Sequence, residues 1–205
     1  MTSNPMIVAS CSVTIAVLIS YGYLYFSEKK PYILTWILSL SLLLIAYLSR
    51  IVIIETGREY PILLIVNYTS TIAGYWLIFK GINLFFGKNY RLFWNIGAGL
   101  LALVYSILTV LELRVDIILL ASVGYTAALL VKSGFTCLHA SSPKTSIRMS
   151  LGYTFFIWAM VSLVYPLCHM LKRVPTSYGY LLIGIVGLIG FISIQAMYFQ
   201  HGFGK

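Results

Sequence analysis

Long apolar runs separated by short polar breaks fill the whole chain. In order they are Met6–Phe26, Tyr32–Ile54, Pro61–Phe86, Arg91–Leu111, Val115–Leu138, Ile147–Leu171 and Tyr178–Gln200. Charges and prolines stop them: Ser27-Glu28-Lys29-Lys30-Pro31 after the first run, Glu55-Thr56-Gly57-Arg58-Glu59 after the second, Lys172-Arg173-Val174-Pro175 before the last. Each run exceeds the roughly 20 residues a helix needs to cross a bilayer. None alternates polar and apolar positions as an outer-membrane strand does. The pattern predicts an all-α membrane protein, a single seven-transmembrane helix bundle over residues 1–205. The short connections make consecutive helices antiparallel neighbours.

Composition narrows the classes. Of 205 residues, 60% are hydrophobic and only 9% are charged, and the mean hydropathy is +0.93. A soluble domain carries about 25% charge, so an ordinary soluble enzyme and a disordered chain are both excluded. Seven spans take about 140–160 residues, which leaves no length for a folded extramembrane domain.

The charges set an orientation. With the N-terminus outside, Lys29, Lys30, Lys80, Lys88, Arg91, Lys132, Lys144, Arg148 and Lys205 fall inside with Glu28. Arg50, Arg58, Arg114, Lys172 and Arg173 fall outside with Glu55, Glu59, Glu112 and Asp116. Nine bases against one acid give +8 inside, and five against four give +1 outside. This is the positive-inside asymmetry of a multi-pass protein of the cytoplasmic membrane, with its C-terminus cytoplasmic. The net +9 is therefore a topology signal, and no basic stripe on a soluble surface calls for nucleic acid. The leader Met1-Thr2-Ser3-Asn4-Pro5 lacks the basic residue of a signal peptide, so the first span is expected to be retained.

Familiar membrane chemistries do not fit the sequence. A retinal Schiff base needs a lysine inside the bundle, and the last span has none. Haem needs facing histidines at one depth. His139 and His201 belong near the inner surface and His169 near the outer one. The five acids lie at span boundaries rather than midplane, which disfavours proton-coupled transport. No internal repeat is evident, and no Ser, Cys or Thr shares a depth with a histidine base. The expectation is a non-enzymatic protein whose cofactor, if it has one, is neither retinal nor haem.

Four constellations remain. Arg50 stands about 19 residues into the second span, roughly 28 Å along the helix. Tyr47 is one turn before it, and Asn67 and Tyr68 lie one and a half turns into the third span. A buried asparagine must be paired. Asn67 and Arg50 therefore form either an interhelical clamp, Arg50 pairing with Glu55, Glu112 or Asp116, or the polar end of an outward-facing ligand pocket. The 16 tyrosines form a second group. Tyr21, Tyr23, Tyr25, Tyr90, Trp94, Tyr178 and Tyr180 are placed in interfacial belts. Tyr75, Trp76, Tyr105, Tyr125, Tyr153 and Trp158 are placed deeper, as packing or as the walls of a cavity for a flat or apolar ligand. Third, Gly184, Gly187 and Gly190 share one face of the last span, where close packing or sliding against a neighbour is expected. Fourth, Pro166 can kink the sixth span. Cys168, His169 and Met170 beside it are soft ligands suited to Cu(I), with Met6 and Cys11 close by if spans one and six touch. The alternative is that the cysteines are small packing residues.

Two stretches carry a family resemblance: Lys29-Lys30-Pro31-Tyr32-Ile33-Leu34-Thr35-Trp36 running on to Tyr47-Leu48-Ser49-Arg50, and Asn67-Tyr68 followed by Gly74-Tyr75, Lys80-Gly81, Phe86-Gly87-Lys88 and Trp94. With the seven-span, N-out layout, the chain resembles the N-terminal membrane sensor modules of prokaryotic histidine kinases and diguanylate cyclases. The resemblance implies a receptor for signal transduction that binds a small or lipid-like ligand among its helices and relays a packing change through span seven. Arg50 and Asn67 would orient the ligand, with Tyr47, Tyr68, Tyr75 and Trp158 as walls. Such modules usually continue into a signalling helix and catalytic domain, whereas this chain ends at His201-Gly202-Phe203-Gly204-Lys205. The partners expected are the lipid bilayer, a cytoplasmic signalling domain or protein and, as an open option, a second copy of the chain. A small-solute facilitator and a structural subunit of a membrane complex are the rival readings.

Overall fold

The computed structural model describes residues 5–113, 116–140, 146–170 and 176–203. These form seven α-helices and, among the described residues, no strand: α1 Pro5–Glu28, α2 Pro31–Thr56, α3 Pro61–Phe85, α4 Phe93–Val110, α5 Asp116–Leu138, α6 Ser146–Met170 and α7 Thr176–Phe203. Proline opens α2 and α3 where a helix has no use for the missing N–H, with Lys30 and Tyr60 extended before it. α2 ends on Gly57 at φ 63°, in the left-handed region that glycine adopts freely. After α3, Gly87 does the same, and the Lys88 N–H reaches back to the Asn83 carbonyl at 2.8 Å.

Among the described residues, five helices are long and apolar enough to cross a membrane: Val8–Glu28, Pro31–Thr56, Pro61–Phe85, Phe93–Val110 and Ile117–Leu138. In α6 and α7 the described apolar segments are the shorter Arg148–Val164 and Ile185–Ala196. The helix ends lie within three residues of the hydropathy boundaries, and the start of α3 and the end of α5 coincide with them. Backbone bonding carries α1 past Phe26 to Glu28 and α7 past Gln200 to Phe203, while the turn after Gly87 delays α4 to Phe93.

Each helix packs against the next in sequence. Two further contacts, α3 with α5 and α1 with α7, close a ring in the order α1, α2, α3, α5, α6, α7. α4 stands outside that ring against α3 and α5. The ring therefore repeats a motif of three helices: α1–α2–α3 and α5–α6–α7 have the same neighbours and run in the same directions, with α4 joining them. The repetition is one of topology, where the sequence shows no repeat. α1 does not pack on α6 among the described residues; Cys11 is buried, and the side chain of Cys168 lies outside the described ones.

Bare backbone lets the helices approach. Ser39 on α2 donates to the Gly74 carbonyl on α3 at 2.9 Å, and Leu43 fills the space a side chain at Gly74 would take. Gly134 on α5 meets the Gly152 backbone on α6. The ring closes on side-chain hydrogen bonds: the Tyr21 hydroxyl donates to the Phe191 carbonyl at 2.8 Å, and Gln195 Nε2 donates to Ser20 Oγ at 2.6 Å. Tyr21 is thus a core residue, 1% exposed, and not an interfacial one, because its ring wedges between Trp36 and Phe191. Conversely Tyr153, expected at depth as packing or cavity wall, is 54% exposed on the outer surface of the bundle. Its neighbour in the helix, Thr154, is the one turned inward.

Candidate functional site

The sequence-predicted residues fall into two groups. The first lies along α3, which packs against α2 and against α4. Asn67 donates from Nδ2 to the Ala46 carbonyl of α2 at 2.6 Å, so the amide ties α3 to α2 as an interhelical clamp. Tyr68 stacks at a tilt on Tyr105 of α4, with centroids 4.2 Å apart. The Tyr105 hydroxyl lies within electrostatic reach of both Arg50 and Glu59. Arg50 is half-buried here, one turn beyond Tyr47.

The second group centres on Trp158 of α6. Its indole is 2% exposed and meets Tyr75 of α3 edge-on at 5.5 Å, Phe155 in a stack at 6.2 Å and Phe191 of α7 at 6.2 Å. The glycines of α7 rest on its benzene ring. A Cβ at Gly187 would lie 3.1 Å from Trp158 Cζ2, and one at Gly190 would lie 3.4 Å from Cζ3. The expected close face of span seven is thus the face against Trp158, and Gly184 lies outside the described side chains.

Trp158 also lines a cleft between α1, α2, α6 and α7. The other walls include Val13, Thr14 and Val17 of α1, Leu40, Leu43 and Tyr47 of α2, and Leu188 and Phe191 of α7. The cleft forms where α1 and α6 do not meet. Its volume is about 30 Å³, room for a water or two. A drug-sized ligand needs roughly 300 Å³ or more, so anything larger must part the helices to enter. Tyr47 and Trp158 share this cleft, while Arg50, Asn67 and Tyr68 belong to the other group.

Sequence reading named Gly187, which also lines the cleft, but missed the α1 walls and Leu188 and Phe191 of α7, because which helix closes on which is not written in any local pattern. It also missed Ser162, buried one turn beyond Trp158. That spacing of four residues on an apolar helix was the available signal. α6 stays helical through Pro166, and the side chains of Pro166, Cys168, His169 and Met170 lie outside the described ones. Among the described residues no group of three or more His, Cys, Asp or Glu is placed to hold a metal. No family model, curated protein or solved structure matches this chain.

Proposed function

We propose that the chain is a seven-span sensory module of the cytoplasmic membrane, N-terminus outside and C-terminus cytoplasmic. It takes a small or lipid-like ligand between its helices and relays the event through α7. One observation carries the reading: Trp158 is at once a wall of the cleft and the surface on which α7 rests through Gly187 and Gly190. A molecule too large for the cleft as it stands parts α1 and α2 from α6 and α7. In doing so it displaces the indole that sets the position of α7. Below that level α7 is bonded to α1 through Tyr21 and Gln195, and its Tyr198 hydroxyl reaches Glu28 at the end of α1. The relay therefore runs along the α1–α7 seam. Arg50 and Asn67 support the outer wall, Asn67 by holding α3 to the α2 helix that carries Tyr47.

The test uses spin labels at exposed Phe26 and Phe199, near the same end of α1 and α7. Addition of lipid extract from the source membrane should change the distance between them. Val13→Phe, which fills the cleft from α1, should abolish the change while leaving the fold intact. Arg50→Ala and Asn67→Ala should weaken it. A distance indifferent to every fraction of the extract would sink the proposal.

The ring's topology supports a second reading, a small-solute facilitator, since parallel repeats with an axis along the membrane normal recur among carriers. Solute flux into sealed liposomes would favour it, and a tight bundle would remove it.

A further inference from the structure

Ser162 is an exception among the hydroxyls of this bundle. In apolar helices serine and threonine return their hydroxyl to the carbonyl one turn back. Thr14, Ser41, Thr71 and Ser133 do so here at 2.7–3.0 Å. Ser162 does not. Its residue is 6% exposed, and its buried Oγ has no hydrogen-bond partner among the described residues. One turn earlier, Trp158 Nε1 is buried in the same condition. Tyr75 of α3, itself buried, brings its hydroxyl into interaction range of both groups without the distance and angle of a hydrogen bond. An indole N–H and two hydroxyls thus converge from two helices of opposite halves of the ring. In a low-dielectric interior such groups are costly unless an acceptor serves them.

The chemistry of that acceptor is constrained. The indole nitrogen can only donate, and each hydroxyl can donate. Tyr75, Trp158 and Ser162 are uncharged, as are the residues lining the cleft, so none of them compensates a carboxylate or phosphate. A neutral oxygen with two lone pairs satisfies the indole and one hydroxyl together. Trp158 is also a wall of the cleft, which is lined mainly by valine, leucine and phenylalanine and suits an apolar body.

We infer that Tyr75, Trp158 and Ser162 form a binding site for one uncharged acceptor oxygen, either the carbonyl of a largely apolar ligand or a water molecule. The inference rests on the sensory reading only for its consequence, that occupancy bears on α7 through Trp158. Occupancy itself is measured without any output.

The experiment is NMR of the full chain in lipid nanodiscs with indole-¹⁵N tryptophan. The Trp158 signal is identified by its loss in Trp158→Phe or, should that variant not fold, by its shift in Tyr75→Phe. Titration with 2-undecanone should move the Trp158 indole proton downfield to saturation, and undecane should not. Ser162→Ala should raise the half-saturating concentration about fivefold or more. A nuclear Overhauser contact between that proton and water, with no response to the ketone, assigns the acceptor to water. A proton that sees neither water nor ketone, or that responds equally to ketone and alkane, overturns the site. The sensory reading fails separately, if ketone binds yet the Phe26–Phe199 distance stays fixed.

Discussion

A methyl group at Gly81 would lie 2.3 Å from Trp36 Nε1 and 2.6 Å from Thr35 Oγ1. Both belong to α2, and Trp36 is fully buried, so neither neighbour can yield. Gly81→Ala should therefore cost about 1–3 kcal/mol by overpacking, read as a lower unfolding midpoint in detergent. Gly99 and Gly124 have nothing within 4 Å of the same position. Alanine there should be neutral or stabilise by up to about 1 kcal/mol. Asn67→Ala removes the bond to the Ala46 carbonyl and should cost about 0.6–1.7 kcal/mol, measured the same way. A larger loss would mean that the amide serves more than the clamp. At this scale the sequence was legible where chemistry forces a partner. An amide inside an apolar helix has to be bonded, and Asn67 is. Tyr21 was not legible, because a tyrosine near a span end suits either a headgroup belt or a core. What decides is Phe191, 170 residues away.

Among the elements, α7 is held in two ways. Against α6 it lies on a flat indole, where close approach depends on two glycines. Against α1 it is fastened by Tyr21 and Gln195. Gly187→Leu should push α7 off Trp158 and lengthen the Phe26–Phe199 spin-label distance without ligand. Gly187→Ala, whose Cβ sits at 3.1 Å from Cζ2, should do so by less. Equal effects from both would argue that α7 does not bear on the indole. The helices themselves were readable from hydropathy, since prolines, charges and the Gly57 turn punctuate the runs. Their ends were less readable. Backbone hydrogen bonding continues past the apolar stretch in α1 and α7, and hydropathy has no measure of that. The two candidate groups were not separable in sequence either. Tyr47 and Tyr68 both sit near one end of the α2–α3 hairpin, yet Tyr47 turns to the cleft and Tyr68 to Tyr105 of α4.

At the scale of the whole molecule, the connections divide between two ends of unequal charge. Lys29, Lys30, Lys88 and Arg91 crowd one end, while Arg58 stands with Glu55 and Glu59 at the other. Cysteine introduced at exposed Lys88 should be labelled by an impermeant maleimide only from the cytoplasmic side of membrane vesicles. Cysteine at exposed Arg58 should be labelled only from the opposite side. The reverse pattern would invert the proposed orientation. Ring order lay beyond the sequence because it depends on which apolar face meets which. The helix faces are alike in being apolar, and only scattered polar atoms and glycines distinguish them. The closing seam also has a consequence for biosynthesis. α1 is made well before α7, and the partners of its Ser20 and Tyr21 lie 175 and 170 residues later. At about 5–20 residues per second, the nascent α1 waits roughly 10–30 seconds in the bilayer before α7 emerges. During that interval Ser20 and Tyr21 lack the partners that hold α1 to α7 in the finished bundle.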